Sequence, residues 1–280
     1  MVRKLKDFYI AIKQELTKAG IESPAFDALC IFEHVLGFKG RAYLSIKGEE
    51  SISEASAAKI AHMAEQRKSL PLQYVLGSWS FMDMELELGE GVLIPREDTE
   101  VLVRLAGEFI GSAELRVLDL CAGTGAVALG VARLCPKAQL TAVELSPAAF
   151  EYLERNIKRH CPERVSALAG DVLAPPQIEG GLDVILSNPP YIPSADIASL
   201  QWEVKKEPEL ALNGGTDGLD FYRAITTLWL PLLNKGGLLA FEVGIGQSEQ
   251  VAELLKAAGL SCVEGRKDLN GIVRCCCGCR

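Results

Sequence analysis

The C-terminal two thirds of the chain alternates between short apolar runs and amphipathic segments. After residue 115 the apolar runs are LRVLDL, QLTAVEL, VSALAG, LDVILS and GGLLAFEV, and helices are predicted to begin at Ala126, Pro147, Leu219 and Gln247. Two further strand-like runs flank Asp-Leu-Asn-Gly near the end, where the Asn-Gly pair favours a tight reversal. Strands that alternate with helices form a mainly parallel sheet covered on both faces. The pattern therefore predicts an α/β fold with a doubly wound sheet.

The first 72 residues show a helical pattern instead. Leu5, Phe8, Ile12 and Leu16 recur on one helical face. A Ser-Pro start at Ser23 and an end at Gly37 delimit a second helix, and Ser53 starts another. We therefore predict a small all-α domain over residues 1–72.

Residues 73–96 differ from both neighbours. Turn signals surround the alternating run MELEL, which is typical of a short hairpin. The segment IPREDTEVLVRLAGEFI then predicts a loop followed by an amphipathic helix, with Asp98 or Thr99 as its N-cap. The expected organisation is a helical domain over 1–72, a hairpin linker over 73–96 and an α/β domain over 97–280.

Charge and composition restrict the classes of partner. The chain has 280 residues, with 29 Lys and Arg against 37 Asp and Glu, and neither half is basic. Extended binding to nucleic-acid phosphates needs clustered positive charge, so nucleic acid is a poor candidate for the main substrate. The N-terminal residues lack the apolar stretch of a signal peptide, and the predicted location is cytoplasmic.

The nine cysteines do not predict a disulfide framework. Four lie in the C-terminal RCCCGCR and the other five are scattered. Adjacent cysteines on a strand point to opposite faces, and neither a paired CxxC nor a histidine accompanies them. We expect small apolar strand residues there and no metal site.

A glycine-rich turn follows the first strand of the α/β region. The run VLDLCAGTGAVALGVA places Asp119 at the strand end and enters a helix through Gly123 and Gly125. Glycines let the backbone approach a ligand, and a helix N-terminus offers free N–H groups. The run matches neither the phosphate-binding GK[ST] loop nor the three-glycine dinucleotide spacing, so by itself it is a weak signal.

Acidic residues at the ends of later strands strengthen that signal. Glu144 follows Asp119 by 25 residues, about the spacing at which α/β nucleotide sites present a carboxylate to ribose hydroxyls. Asp171 follows the third strand and is expected at the adenine edge. All three lie at carboxyl ends of strands, near the topological switch point where such sheets bind ligands. We infer a ligand that contains ribose.

The run SNPPYIP follows the fourth strand. Pro189 and Pro190 restrict the backbone to extended conformations and leave the carbonyl groups of Asn188 and Pro189 free to accept hydrogen bonds from another molecule. A stiff exit from a strand with Tyr191 buried beneath it is the alternative interpretation of this run alone.

Taken together, VLDLCAGTG, AVELSP, GDVL and SNPPYIP resemble the class I S-adenosylmethionine-dependent methyltransferases that modify amide or amino nitrogens. The chain is similar in more detail to the bacterial peptide chain release factor glutamine methyltransferases. The segments that carry this second resemblance are PLQYVLG, LIPREDTE, EPELALNGGTDGLDFYR and GGLLAFEVGIGQ. The similarity extends over nearly the whole chain.

The resemblance implies a seven-stranded Rossmann-like sheet over 97–280 and a substrate-docking role for residues 1–72. It implies transfer of a methyl group from S-adenosyl-L-methionine to the glutamine side chain of the Gly-Gly-Gln motif in release factors, which act in translation termination. The expected partner is a release factor, without a nucleic-acid substrate or a membrane.

The resemblance also assigns residues. The implied catalytic residues are Asn188, Pro189 and Tyr191, with Pro190 joining them in binding the substrate. The implied cofactor-binding residues are Asp119, Cys121, Ala122, Gly123, Thr124, Gly125, Glu144, Asp171, Val172 and Asn188. The family usually has glycine where Cys121 stands, in the segment that contacts the methionine part of the cofactor. It often has an aromatic residue where Val172 stands, so we expect looser packing around adenine.

Three other functions share parts of this pattern. A ribosomal-protein glutamine methyltransferase would use the same site. A nucleic-acid adenine methyltransferase would use NPPY on an exocyclic amino group, although the sequence lacks a basic target-reading domain. A cofactor-binding regulatory module without catalysis would not need an intact NPPY.

Overall fold

The computed structural model describes residues 4–280, which form two compact units. The first unit ends at Ser78, and the second covers Trp79–Arg280. The first three residues of the predicted helical region lie outside the described residues.

The first unit is all helical. Its helices are α1 (Leu5–Lys18), α2 (Pro24–Leu36), α3 (Ala42–Lys47), α4 (Glu54–Arg67) and α5 (Leu72–Leu76). The apolar stripe of α1 is buried, as its periodicity predicted. The predicted boundaries also hold, because Pro24 opens α2, Gly37 ends it with a left-handed φ of 72°, and the Ser53 hydroxyl caps α4.

A buried ion pair joins two helices of this unit. Arg67 Nε, at the end of α4, donates to Asp27 Oδ2 of α2 at 2.6 Å, and both side chains are at most 5% exposed. Arg67 Nη1 also donates to the carbonyl of Leu70 at 3.0 Å. Since a buried charge is tolerated when it is paired and hydrogen-bonded, this ion pair can join α2 to the end of α4 inside the unit.

The second unit begins with a hairpin and a loop. Strands β1 (Ser78–Phe81) and β2 (Met84–Glu87) form a two-stranded sheet, as MELEL predicted. One 3₁₀ turn (Glu97–Thr99) then leads into α6 (Glu100–Ile110). Thr99 occupies the N-cap position of α6, but its side chain makes no capping hydrogen bond. The Thr99 side chain instead lines a pocket at the edge of the main sheet.

The main sheet has seven strands in the order β5-β4-β3-β6-β7-β9-β8. They are β3 (Arg116–Leu120), β4 (Gln139–Glu144), β5 (Val165–Ala169), β6 (Leu182–Ser187), β7 (Leu233–Glu242), β8 (Ser261–Lys267) and β9 (Val273–Cys279). Strands β3 to β7 are parallel, whereas β9 runs antiparallel to both β7 and β8. Because β4 and β6 flank β3 on opposite sides, the strand order reverses at β3, which creates the predicted switch point.

Helices cover both faces of this sheet. They are α7 (Ala126–Leu134), α8 (Pro147–His160), α9 (Asp220–Ala224) and α10 (Ser248–Ala257), which begin at or one residue after the predicted starts. Helices α6, α7 and α8 pack against one face of the sheet in one apolar cluster, and α9 and α10 pack against the other. The doubly wound α/β fold is therefore present.

The C-terminal cysteines belong to the core of the sheet. Cys275 and Cys277 join the cluster under α6 and α7, whereas Cys276 joins the cluster on the opposite face. This alternation follows from the two-residue period of β9. Among residues 4–280, no three His, Cys, Asp or Glu side chains are grouped so that they could hold a metal ion.

The helices are short. The longest, α1, α4 and α8, have 14 residues each, whereas a helix needs about 20 apolar residues to cross a bilayer. Within the described part of the chain, no helix has the length and apolar character of a membrane span.

Candidate active site

A pocket opens at the carboxyl ends of β3, β4, β5 and β6, where the strand order reverses. It encloses about 910 Å³, part of which is open to solvent. Its walls combine backbone groups, carboxylates and apolar side chains, the composition typical of a small-molecule site. Of the predicted site residues, the pocket is lined by Cys121, Ala122, Gly123, Thr124, Glu144, Asp171, Val172, Asn188 and Pro190.

The glycine-rich turn forms one wall. Gly123 and Gly125 have φ angles of 55° and 85°, in the left-handed region that favours glycine. A Cβ atom on Gly125 would lie 2.7 Å from Leu153 Cδ1 of α8, so the turn packs tightly from behind. Gly125 itself faces this helix, and it is not among the residues that line the pocket. Cys121 also has a left-handed φ of 61°, at the position where the resemblance led us to expect glycine.

Glu144 lies at the end of β4 on the pocket wall. Its Oε2 accepts from the N–H of Gly123 at 2.8 Å, and its Oε1 accepts from the N–H of Ser146 at 2.7 Å. Burial raises the pKa of this carboxyl above its ordinary value, and the two backbone N–H groups oppose that shift. The carboxylate is thus fixed in orientation, and its remaining lone pairs can accept hydrogen bonds from a ligand.

Asp119 is placed differently from the other predicted residues. It is fully buried in β3 and does not line the pocket. Its Oδ2 accepts from the N–H of Ala128 at 3.0 Å and so stabilises the first turn of α7. Burial raises its pKa to about 8, and its Oδ1 has no partner among the described residues. Asp119 therefore supports the glycine turn through the start of α7 and does not contact the pocket.

Asp171 and Val172 follow β5 at the far side of the pocket. Asp171 Oδ1 accepts from the N–H of Leu173 at 2.8 Å, which holds the carboxylate at the pocket wall. Val172 is 4% exposed, and its carbonyl accepts from the indole N–H of Trp229 at 2.8 Å. The pair therefore presents one polar and one apolar surface side by side.

Asn188 comes directly after β6. The Ser187 hydroxyl donates to the carbonyl of Leu120 at 2.7 Å, which holds the ends of β6 and β3 together. Asn188 and Pro190 line the pocket. Pro189 is buried, as Pro190 is, and is not among the lining residues. The next residues are pinned by neighbouring backbone, because Ile192 N–H donates to the carbonyl of Leu212 at 2.9 Å.

Tyr191 is half-buried beside the pocket and is not among its lining residues. Its carbonyl accepts from Gln247 Nε2 at 2.8 Å. Burial, with a contribution from the Glu242 carboxylate, raises the pKa of its phenol to about 12. The phenol therefore stays protonated at neutral pH and has no role there as a base.

The segments LIPREDTE and EPELAL carry part of the family resemblance, but no site residue was predicted in either. In the structure these segments form the remaining pocket walls, through residues that include Arg96, Thr99 and Leu210. Glu207 ties the two segments together, since Oε2 accepts from the N–H of Ile94 at 3.0 Å and Oε1 pairs with the Arg96 guanidinium. The local pattern carried no signal for this pairing, because the partners are more than one hundred residues apart.

The pocket chemistry fits S-adenosylmethionine. Glu144 and Asp171 offer carboxylate oxygens to ribose and adenine donors, and apolar walls that include Val92, Leu145 and Val172 suit a purine ring. Two carboxylates in the same pocket also complement the positive charge of a sulfonium. Gly123 leaves its side of the pocket open, because a Cβ there would meet only Val92 at 3.9 Å.

Two family models match the chain. The Methyltransferase small domain model matches residues 98–215, and the PrmC N-terminal domain model matches residues 9–77. A methyltransferase structure from Pyrococcus furiosus is similar with a TM-score of 0.53, over 81% of this chain and 98% of that one. At 18% identity, this similarity concerns the fold alone.

Curated relatives cover almost the full length. The release factor glutamine methyltransferase of Geobacter sulfurreducens is 38% identical over 98% of this chain and 94% of its own. The enzyme of the same name from Gloeobacter violaceus is 40% identical over 87% of this chain and 86% of its own. With identity at this level across both units, the chain belongs to the release factor glutamine methyltransferase family.

Proposed function

We propose that this protein transfers a methyl group from S-adenosyl-L-methionine to the side-chain amide nitrogen of a glutamine in a peptide chain release factor. The names of its full-length relatives support this substrate. The glutamine of the Gly-Gly-Gln motif is the proposed target, on the basis of the family resemblance.

One observation carries the proposal. Asn188 stands in the same pocket as Glu144 and Asp171, on a backbone stiffened by two prolines. A carboxamide on the pocket wall is suited to recognise another carboxamide, because each group has both donors and acceptors. When bound, S-adenosylmethionine supplies a methyl group made electrophilic by the sulfonium.

A glutamine amide is a poor nucleophile because its nitrogen lone pair is delocalised into the carbonyl. In this proposal Asn188 Oδ1 and the carbonyl of Pro189 accept the two amide hydrogens, and Tyr191 packs against the substrate. These acceptors orient the nitrogen and disperse the positive charge that develops on it. After transfer the nitrogen releases one proton to water, so a strong base beforehand is not required.

Positioning accounts for most of the expected rate effect. Holding a nucleophile in a near-attack geometry can contribute about 7–11 kcal/mol, whereas one ordinary hydrogen bond contributes about 1 kcal/mol. The fixed position of Asn188 is therefore expected to contribute more to the rate than the energy of its hydrogen bond alone.

The domain roles are part of the proposal. Residues 1–72 dock the release factor, residues 73–96 link the domains, and residues 97–280 bind the cofactor and transfer the methyl group. The matches to a PrmC N-terminal domain and a methyltransferase domain support this division. Because release factors act on ribosomes, the proposed location is cytoplasmic, with neither a membrane nor a nucleic-acid substrate.

Mass spectrometry tests the substrate directly. The full chain is incubated with S-adenosylmethionine in three separate reactions. One contains a release factor, one contains ribosomal proteins and one contains duplex DNA. We expect the mass gain of one methyl group on a single glutamine of the release factor, and none when that glutamine is replaced by alanine. Methylation of a ribosomal protein or of DNA instead, or of nothing, would contradict the proposal.

A further inference from the structure

A buried carboxyl group lies behind the pocket and has no role in the proposed reaction. Glu242, the last residue of β7, is 3% exposed. Its Oε2 has no hydrogen-bond partner among the described residues. An ionised carboxylate in such a place is costly unless it is paired or hydrogen-bonded, so its neighbours decide its state.

Those contacts lead to Asn188 through one side chain. Burial raises the pKa of Glu242, and the neighbouring Thr99 side chain, which lines the pocket, opposes that shift as a hydrogen-bond donor. Asn188 Nδ2 donates to Thr99 Oγ1 at 3.3 Å. Three polar side chains thus lead from the core to the pocket wall: Glu242 at the end of β7, Thr99 just before α6 and Asn188 just after β6.

The direction of these hydrogen bonds follows from donor counting. An ionised carboxylate only accepts, so the Thr99 hydroxyl must donate its single hydrogen to Glu242. The hydroxyl oxygen then has only lone pairs left for Asn188, and it must accept from Nδ2. When the Nδ2 group of Asn188 is bound to Thr99, the Oδ1 atom of the same carboxamide points away from Thr99.

We infer that Thr99 and Glu242 are positioning residues that fix the orientation of the Asn188 carboxamide, so that its oxygen faces the substrate amide. This inference rests on the proposed function. With the opposite orientation, Asn188 would present N–H donors to the N–H donors of glutamine. Neither Thr99 nor Glu242 touches the reacting atoms in this account.

The arrangement responds to protonation of Glu242. A protonated Glu242 can itself donate to Thr99 Oγ1. The hydroxyl hydrogen of Thr99 is then free to bond to Asn188 Oδ1, and the carboxamide turns over so that Oδ1 and Nδ2 exchange positions. Burial raises the pKa of Glu242 to about 7. The titratable groups that face it are Asp98, Arg274 and Arg96, with Tyr191, Tyr222 and Cys275 on the neighbouring segments.

The sign of the pH effect follows. The ionised form of Glu242 holds the productive orientation, so kcat is expected to rise as the pH increases through about 7. Of the nearby charges, Asp98 opposes ionisation, whereas Arg274 and Arg96 favour it. Arg274 also pairs with Asp98 at 3.0 Å, which keeps these charges in fixed positions.

Three variants of the full chain separate orientation from folding. Thr99→Val removes the hydroxyl without changing the shape, and Thr99→Ser keeps it. Glu242→Gln replaces a carboxylate that only accepts with an amide that can also donate and does not titrate. Thr141→Val on β4, outside the pocket, is the matched control for the first change. Steady-state kinetics on a release factor and calorimetry with S-adenosylhomocysteine are measured for each.

We expect Thr99→Val and Glu242→Gln to lower kcat about tenfold, with the affinity for S-adenosylhomocysteine unchanged. Glu242→Gln should also abolish the rise of kcat near neutral pH, and Thr99→Ser and Thr141→Val should keep both the rate and the pH profile. Wild-type kcat in Thr99→Val and Glu242→Gln, or an equal loss in Thr99→Ser, would overturn the inference.

A second readout does not depend on the substrate. The side-chain amide signals of Asn188 are assigned in ¹⁵N-labelled protein as the pair that disappears in Asn188→Ala. We expect them to shift with pH with a midpoint near 7 in the wild-type protein and in Thr99→Ser, but not in Glu242→Gln. Signals that do not titrate would overturn the inference even if the release factor is methylated. Titrating signals without release factor methylation would instead contradict only the proposed function.

Discussion

The N–H of Gly123 donates to the Glu144 carboxylate at 2.8 Å. This bond joins the glycine turn after β3 to the end of β4, two segments that the proposed cofactor must contact together. Because the same carboxylate also holds the N–H of Ser146, it is oriented before any ligand binds. One side chain thus shapes the wall of the pocket and offers lone pairs to a ligand.

Glu144→Ala is expected to weaken binding of S-adenosylhomocysteine about 10- to 100-fold, because a hydrogen bond to a charged acceptor contributes about 1.5–3 kcal/mol. Isothermal titration calorimetry measures the dissociation constant. Glu154→Ala is the control, because Glu154 is an exposed residue of α8. This variant should bind S-adenosylhomocysteine with the wild-type dissociation constant. An unchanged dissociation constant in Glu144→Ala would disprove the assigned ribose contact.

Asn188→Ala is expected to lower kcat at least about 100-fold while the affinity for S-adenosylhomocysteine stays within about threefold, because positioning is lost and the carboxylates of the pocket remain. A methyl-transfer assay and calorimetry measure the two quantities. Asn234→Ala on β7, whose side chain bonds to Asp183 away from the pocket, should leave both unchanged. Retained turnover in Asn188→Ala would refute the proposed role.

Glu207→Ala is expected to destabilise the protein by about 1–3 kcal/mol, because the N–H of Ile94 loses its buried acceptor and Arg96 loses its partner. Urea unfolding monitored by tryptophan fluorescence measures the loss. Glu253→Ala on the exposed side of α10 is the matched control. If both variants unfold at the wild-type urea concentration, Glu207 does not tie the two pocket walls together.

Asp119→Asn is expected to change how stability depends on pH. The folded-state pKa of Asp119 is about 8, above its unfolded value, so the folded protein binds the proton more tightly and the Asp119 contribution to stability falls as the pH rises from about 4 to 8. Asparagine does not titrate. The unfolding free energy of the variant relative to wild type should therefore increase with pH by up to about 1.4 kcal/mol per pH unit.

Denaturant unfolding at a series of pH values measures this difference. Asp196→Asn, at an exposed residue in a 3₁₀ segment, serves as the control and should follow the wild-type curve. A constant difference between Asp119→Asn and wild type across this range would show that Asp119 has an ordinary pKa in the folded protein.

Local pattern was sufficient for most of the secondary structure. The helix starts at Pro24, Ala126 and Pro147 carry chemical signals that act over a few residues, as do the left-handed end at Gly37 and the cap at Ser53. The π-turn at Ile225–Trp229 had no such signal. Its bonding pattern depends on packing, since Ile225 and Trp229 are both fully buried.

The motifs also placed most of the pocket, because the carboxyl ends of parallel strands meet at one edge of a sheet. This rule brings Glu144, Asp171 and Asn188 together without further information. It did not distinguish residues that line the pocket from those that support it. Asp119 and Gly125 point towards α7 and α8 instead, a difference that depends on the twist and side-chain packing of the finished sheet.

The sequence by itself determined the α/β class, the order of strands and helices along the chain, and the side chains that the switch point would gather. Only the tertiary structure decided which distant residues support them. The pairing of Glu207 with Arg96, and the chain from Glu242 through Thr99 to Asn188, join segments far apart in the sequence. Such contacts depend on three-dimensional distance and on the loss of water around buried charges. No periodicity in the amino-acid sequence signals either of these factors.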